Sequence, residues 1–277
     1  MPRRRWGRGV GIVLIVVWSL FPLYWALNSS LQTDAQNAAK PSHYVPPSPT
    51  LHNYRTLLSG SGDLASSIRR STANIFIECV LATIVTVVLA TLAAYAFARM
   101  RFRGRALLFG VVLATMAFPP YTTLIPLFRI LASVRLVNTY TGIVLVYVSG
   151  FLPLATWILQ NYMASLPIAL EEAGQIDGAS RMQVLWRIVL PLARPGIIST
   201  AIITFLFAWA QFLFPLVLSS DLATQPLTVA IAALQGRHVV PYTLLSASGI
   251  VAIAVPAAVV LVLNRYIVSG LLAGSVK

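Results

Sequence analysis

Long apolar runs separated by short polar stretches dominate this 277-residue chain. A helix needs about 20 apolar residues to cross a hydrocarbon core of roughly 30 Å. Prolines at 153 and 256 interrupt two of the runs, which membrane helices tolerate where neighbouring helices or water satisfy the freed carbonyls. The pattern predicts an all-α polytopic membrane protein, one domain over residues 1–277. Its six transmembrane helices are expected near residues 10–27, 74–98, 106–128, 139–160, 197–219 and 246–268.

The first run follows the basic stretch "MPRRRWGRG" and so resembles a secretory signal peptide. The apolar run continues through "WSLFPLYWAL" without a clear small-x-small cleavage site, and it makes the number of spans even. We therefore expect an uncleaved signal anchor.

Composition agrees with a membrane protein, because 58% of the residues are hydrophobic and only 10% are charged. The excess of 20 Lys and Arg over 7 Asp and Glu could indicate nucleic-acid binding, but that function needs a basic face on a soluble domain, and none is predicted. We expect no nucleic-acid partner.

The single cysteine, Cys79, allows neither a disulfide framework nor a CxxC metal site, and His43, His52 and His238 are scattered. We expect no bound metal.

Orientation follows from the distribution of Lys and Arg in the short loops. If the N-terminus faces the cytoplasm, 13 of the 20 basic residues lie on the cytoplasmic side. Both termini and the loop 161–196 are then cytoplasmic, and the segment 28–73 is extracytoplasmic. That outer segment is rich in Pro, Ser and Asn, so we expect an irregular loop with short helical pieces that could contact a partner.

The cytoplasmic loop has the periodicity of an amphipathic helix ending at a glycine. Gly178 suits the left-handed conformation of a helix end, and Ser180 with Gln183 fits a capping box that opens a second helix. Pro191 is expected to end that helix. On the first helix Glu171, Gln175 and Gly178 oppose an apolar stripe made of Leu166, Ala169, Leu170, Ala173 and Ile176.

Two interpretations of this helical hairpin are open. A lipid-facing hairpin usually carries Lys and Arg on its polar face to meet anionic lipid. This one carries Glu171, Glu172 and Asp177 instead, which favours a protein partner with basic groups.

The residues from Glu172 to Pro191 resemble the EAA loop of ATP-binding-cassette importer permeases. That pattern is Glu-Ala-Ala, three residues, Gly, nine residues, then Ile-x-Leu-Pro, and the chain matches its spacing with Gly174 in place of the second Ala. The resemblance implies that the loop docks into a cleft of an ATPase subunit. The implied coupling residues are Glu171, Glu172, Ala173, Gly174, Asp177, Gly178, Ala179, Ile188, Leu190 and Pro191.

Two further stretches, "AYAFARMRFRG" (94–104) and "GLLAGSVK" (270–277), are similar to carbohydrate-importer permeases of the maltose-importer type. The resemblance implies a bacterial cell membrane location and alternating access. The implied protein partners are a second permease, usually forming a heterodimer, two ATPase subunits and an extracytoplasmic solute-binding protein. The sugar substrate and the lipid bilayer are the other two partners.

Catalytic motifs are missing from the sequence, which contains no GxxxxGK[ST], GxSxG or HExxH. We therefore expect a permease rather than an enzyme, without a cofactor of its own. ATP and Mg would bind the partner ATPases, as the resemblance implies.

Sugar sites combine aromatic faces with a few hydrogen-bonding groups. The stretch "FPPY" (118–121) is expected to break a helix beside the pathway, since adjacent prolines at membrane depth need protein or water around them. Candidates at suitable depth are Phe118, Tyr121, Trp157, Gln160, Trp209 and Gln211.

Two alternatives to sugar import stay open. Within the family, the solute could be glycerol phosphate or another small molecule. Outside the family, the protein could be a proton-coupled carrier, because Glu78 is the one acidic residue inside a predicted span. An isolated carboxylate makes a poor proton relay, and we expect Glu78 to reach interfacial water or to pair with Arg69 or Arg70.

Overall fold

The computed structural model describes residues 3–236 and 241–273, with side chains for 9–236 and 241–264. Within these ranges the chain forms helices joined by turns and contains no strand, which confirms the all-α prediction. The helices are α1 (Arg3–Ser30), α2 (Asp34–Ala38), α3 (His52–Ser59), α4 (Asp63–Arg99), α5 (Arg105–Ala114), α6 (Pro120–Ser133), α7 (Tyr140–Ala164), α8 (Ala169–Ile176), α9 (Arg181–Val184), α10 (Leu190–Trp209), α11 (Leu213–Leu218), α12 (Leu227–Gln235) and α13 (Tyr242–Ala273).

Among the described residues, five stretches of helix are long and apolar enough to span a membrane, and the number is six if a bent pair of helices forms one span. The five are Gly9–Ser30, Asp63–Arg99, Tyr140–Ala164, Arg181–Trp209 and Tyr242–Asn264. Pro153 and Pro256 lie inside continuous helices, as expected.

The third span is broken where the sequence predicted a break. Arg105–Ala117 and Pro120–Ser133 are inclined by 99° to each other. Phe118 has an extended backbone, since α-helical geometry is disfavoured before a proline, and Pro120 opens α6. Pro119 and Pro120 together therefore produce a sharp corner.

The fifth span differs from its predicted range of 197–219. The helical stretch begins at Arg181 and ends at Trp209, because Ala210–Phe212 leaves the helix before the short α11. Pro191 does not end the helix, and that expectation was wrong. A π-helical segment, Leu185–Val189, precedes α10, and the Leu190 N–H donates to the Leu185 carbonyl, five residues back. Pro191 follows this segment after Leu190, so its missing N–H interrupts the hydrogen-bond pattern of a helix that continues to Trp209.

The contacts of the chain divide it into two compact units. The first comprises residues 1–72 and 227–255. Within it, Asn53 Nδ2 donates to the carbonyls of Ser30 (2.9 Å) and Gln32 (3.0 Å), and Thr243 Oγ1 donates to Asp34 Oδ1 (2.6 Å). The predicted outer segment 28–73 thus contains short helices held by buried polar contacts.

The second unit comprises residues 73–226 and 256–277. Small side chains of α4 allow close helix packing in its core, as is common between membrane helices. One core cluster joins α4, α7, the segment from α9 through the π-helical turn, and α10. Its buried members are Ala90, Ala94, Tyr95, Ala155, Leu159, Met163, Val184, Leu185, Val189 and Ala193.

Candidate coupling loop and membrane cavity

A glycine turn ends α8 as the sequence predicted. Gly178 has φ +86°, a conformation that side-chain-bearing residues rarely adopt. Its N–H donates to the Gln175 carbonyl (3.0 Å), and the Ala179 N–H donates to the Gly174 carbonyl (3.0 Å). This pair of hydrogen bonds is a Schellman motif, which satisfies two carbonyls at the helix end.

A capping box opens the next helix two residues later, and it confirms the prediction from the sequence. The Ser180 N–H donates to Gln183 Oε1 (2.8 Å), while the Gln183 N–H donates to Ser180 Oγ (3.3 Å). The two motifs leave only a few residues between α8 and α9. We call residues 165–191 the coupling loop, because it contains the stretch that resembles the EAA pattern.

The exposure of side chains on α8 departs from the predicted division into an apolar stripe and a polar face. Glu171, assigned to the polar face, is buried, and its Oε1 accepts from Arg99 Nε at 2.5 Å, whereas Gln175 on the same face is exposed. Leu170 and Ile176, members of the predicted apolar stripe, are exposed, Ile176 at 86%. An arginine 72 residues earlier in the chain decides the orientation, because its guanidinium satisfies the carboxylate inside the protein.

The predicted coupling residues fall into three groups by exposure. Glu171 is buried. Half-buried are Gly174, Ala179, Ile188 and Leu190. Exposed are Glu172, Ala173, Asp177, Gly178 and Pro191. Beside this exposed group lie apolar side chains that the sequence analysis did not assign to coupling, Met182 and Trp186, and both are exposed.

Gly174, the departure from the EAA pattern, has a structural role. A Cβ at this position would meet Ile188 Cδ1 at 2.5 Å. Ile188 is itself one of the EAA-pattern residues, so the glycine lets the π-helical segment lie close to α8. The contacted atom is the end of a flexible side chain, and Ile188 could rotate to admit a methyl group.

A cavity of about 780 Å³ opens in the second unit beside the broken third span. Aromatic rings contribute apolar faces, from Phe118, Tyr147, Phe151, Phe207 and Phe214. Hydrogen-bonding groups stand between them, from Thr115, Thr122, Thr123, Ser149 and Gln211. None of its lining residues is charged.

Two of the six predicted pathway residues, Phe118 and Gln211, line this cavity. Tyr121 and Trp157 are exposed elsewhere, Gln160 is half-buried, and Trp209 is buried with its ring centroid 5.6 Å from that of Phe205. The threonines of α6 were missed. The "FPPY" break was the available signal, since the residues after a helix break at membrane depth are the ones that face protein or water.

Glu78 has neither of the partners expected from the sequence. It is fully buried, and neither carboxylate oxygen has a hydrogen-bond partner among the described residues. Arg69 instead donates to the Gly60 carbonyl at 2.8 Å, and Arg70 is exposed. Arg237 and His238 lie outside the described residues, and the described side chains do not include the stretch 270–277.

Residues 86–272 match the protein family described as "Binding-protein-dependent transport system inner membrane component". That match covers more than half of the chain, from α4 to α13. The chain belongs to this family. It is therefore a multi-pass inner-membrane permease of an ATP-binding-cassette importer and not an enzyme, as the sequence analysis expected.

Curated permeases resemble the chain along almost its whole length. The sulfoquinovosyl glycerol transport system permease protein SmoH of Agrobacterium fabrum is 35% identical over 98% of this chain and 93% of its own. The trehalose/maltose transport system permease protein MalG of Thermococcus litoralis is 36% identical over 97% of this chain and 95% of its own.

A solved structure shares the fold of this permease. It is a bacterial ABC transporter that imports the acidic polysaccharide alginate, with a TM-score of 0.80 at 22% identity, covering 96% of this chain and 97% of the solved chain. At this level of identity the likeness supports the fold alone.

Proposed function

We propose that this permease imports a sugar or related polyol, that it forms half of the translocation pathway, and that the coupling loop docks on a cytoplasmic ATPase subunit. The relatives are named for glycosides and disaccharides. In this proposal both termini are cytoplasmic, and the other half of the pathway comes from a second permease. A solute-binding protein delivers the sugar from outside, and ATP and Mg bind two ATPase subunits.

The observation that carries the coupling role is the exposed apolar surface of the loop. Leu170, Ala173 and Ile176 on α8 and Met182 on α9 are exposed around the acidic Glu172. Interface cores are apolar and depleted of charge, while their rims are polar. The proposed contact surface thus combines these four apolar side chains with the acidic Glu172 and Asp177, rather than being an acidic patch alone.

The cavity is suited to a sugar by its chemistry. Aromatic faces pack against the C–H surfaces of a sugar ring, and threonine, serine and glutamine side chains exchange hydrogen bonds with its hydroxyls. Residues of α6, α7 and α10 contribute to its walls. Alternating access would open this space first to one side of the membrane and then to the other as the ATPases close and separate.

The test is a matched pair of exposed apolar residues in the complex with its partner subunits. We expect Ile176→Asp to abolish co-purification of the ATPase and uptake, because it places a charge in a desolvated contact without removing any buried packing. Leu222→Asp, at an exposed leucine outside the loop, should leave both unchanged. Normal assembly and uptake of the Ile176→Asp complex would overturn the coupling role.

The proton-coupled alternative depends on Glu78, a buried acid whose carboxylate oxygens have no hydrogen-bond partner among the described residues. ATP-driven import requires that uptake continue in the presence of a protonophore while ATP is maintained. Loss of uptake under that condition, and in Glu78→Gln, would favour the carrier. The glycerol phosphate alternative is less favoured, since no Lys or Arg lines the cavity to pair with a phosphate.

A further inference from the structure

One buried ion pair joins the coupling loop to the end of a membrane-spanning helix. Arg99, the last residue of α4, donates from Nε to Glu171 Oε1 at 2.5 Å. Its Nη2 also donates to the Leu166 carbonyl at 2.9 Å, just beyond the end of α7. The two side chains are 10% and 6% exposed, so water screens the pair weakly.

The position of Glu171 in α8 favours this contact. The residue lies in the first turn of α8, where the helix dipole favours a negative charge. Its neighbours Leu170 and Glu172 are both exposed. Among the described residues, the polar link from α8 to α4 therefore depends on this one carboxylate.

Besides the direct covalent link from the start of the loop back to α7, which ends at Ala164, two routes lead from the coupling loop to the walls of the cavity. The first is covalent, because α9 continues through the π-helical segment into α10, which contributes Phe207 to the lining. The second crosses the Arg99–Glu171 pair to α4. Ala90 and Ala94 of α4 pack in one cluster with Leu159 of α7, and residues 146–154 of α7 supply much of the opposite lining.

We propose that Arg99 and Glu171 form a strut that makes α8 and the end of α4 move as one body, so that a displacement of the coupling loop reaches α7 and α10 together. Arg99 and Glu171 are positioning residues, since neither lines the cavity nor belongs to the exposed docking surface. Charge-assisted hydrogen bonds have the short length and fixed geometry that such transmission needs. The inference rests on the proposed docking of the loop on an ATPase.

Without the strut, the covalent links to α7 and α10 and the apolar packing of the core cluster would carry the motion. The loop would still present its exposed apolar surface, so the ATPase would still dock and hydrolyse ATP. The carboxylate of Glu171 would no longer hold α8 against the end of α4, so α8 could shift without moving α4 and part of the displacement would be lost. Hydrolysis would then proceed with little transport, which is uncoupling rather than loss of assembly.

The test measures solute transported per ATP hydrolysed in vesicles that contain the whole complex with its binding protein. That ratio does not depend on how much complex is recovered. We expect Arg99→Gln and Glu171→Gln to lower it by about fivefold or more, the usual lower range for coupling between sites. The exchange Arg99→Glu with Glu171→Arg should restore part of the ratio, because it re-forms the pair in reverse.

Arg103→Gln is the matched control, since Arg103 is an exposed arginine four residues further along. It should keep the wild-type ratio. If Arg99→Gln does not accumulate, Arg99→Lys replaces it: lysine keeps the charge but loses the planar fork that reaches both Glu171 and Leu166, so its ratio should also fall.

An unchanged ratio in Arg99→Gln or Arg99→Lys would overturn the strut. Failure of the proposed function is distinguishable from this, because it would appear as normal assembly of the Ile176→Asp complex. If Ile176→Asp blocks assembly while the Arg99 variants transport at the wild-type ratio, the loop docks as proposed and only the strut is wrong.

Discussion

At the residue scale, Gly178 combines an unusual backbone with open space. Its φ is +86°, and a Cβ there would meet nothing within 4 Å. A substitution therefore acts through the backbone alone, at about 1–3 kcal/mol for a side chain that disfavours the left-handed region. The effect of a substitution at Gly178 therefore reports backbone strain and not a steric clash.

We expect Gly178→Val to insert in the membrane at normal abundance but to co-purify poorly with the ATPase, because the turn that presents α8 would change conformation. Gly178→Asn should be milder, since asparagine tolerates this region. Gly110→Val is the control: Gly110 lies in α5, also with nothing near its Cβ and without a positive φ. Equal effects of valine at both positions would contradict the role of the turn.

Two other glycines differ in what surrounds them. A Cβ at Gly196 would meet ring atoms of Tyr162 at 2.5–2.8 Å, whereas one at Gly174 would meet only the end of Ile188. We expect Gly196→Ala to lower the thermal unfolding temperature of the purified protein, at a cost of about 1–3 kcal/mol for overpacking. Gly174→Ala should be near neutral, since a gain of roughly 1 kcal/mol in helix propensity offsets the shift of Ile188. A larger loss at Gly174 would mean that Ile188 is locked in place.

At the element scale, the corner between α5 and α6 divides the residues of α6 between two environments. Thr123 lines the cavity, whereas Tyr121 is exposed outside it. The division follows from the break, because Pro119 and Pro120 turn α6 away from the direction of α5 by 99°.

After replacement of the buried Cys79 by alanine, Thr123→Cys should react with a water-soluble thiol reagent, and transported sugar should slow the reaction. Tyr121→Cys should react slowly and without sugar protection, because it would face lipid. Labelling rates measured in membranes with and without substrate check this. Protection at position 121 but not at 123 would place the pathway on the other side of α6.

At the scale of the whole molecule, the orientation of the chain decides which partners each loop can meet. The 13 of 20 basic residues on the predicted cytoplasmic side lead us to expect the coupling loop to face the ATPases and the segment 28–73 to face the binding protein. In a variant without Cys79, Gln175→Cys should be labelled by impermeant reagents only from the cytoplasm. Ser42→Cys should be labelled only from outside. Both sites are exposed. Reversed labelling would exchange the two assignments.

Local interactions explain what was predictable from the sequence. Apolar length determines which stretches can cross a membrane, so the order and approximate positions of the spans were foreseeable, although Asp63–Arg99 and Arg181–Trp209 begin well before the predicted residues 74 and 197. The Gly178 turn and the Ser180–Gln183 box depend on neighbours within five residues, and both were correct. The EAA pattern is likewise a short linear signal, and it indicated the family to which the chain belongs.

Only the tertiary structure decided which side of each helix faces inward. Helical periodicity places Leu170 and Ile176 apart from Glu171, but it cannot say which group is covered, and Arg99 reverses the simple hydrophobic expectation. The continuation of the helix past Pro191 required a π-helical turn, and the cavity required α6, α7 and α10 to meet. Each of these depends on contacts between residues far apart in the chain or on a rare backbone geometry, and neither is encoded in a local pattern of apolar and polar residues.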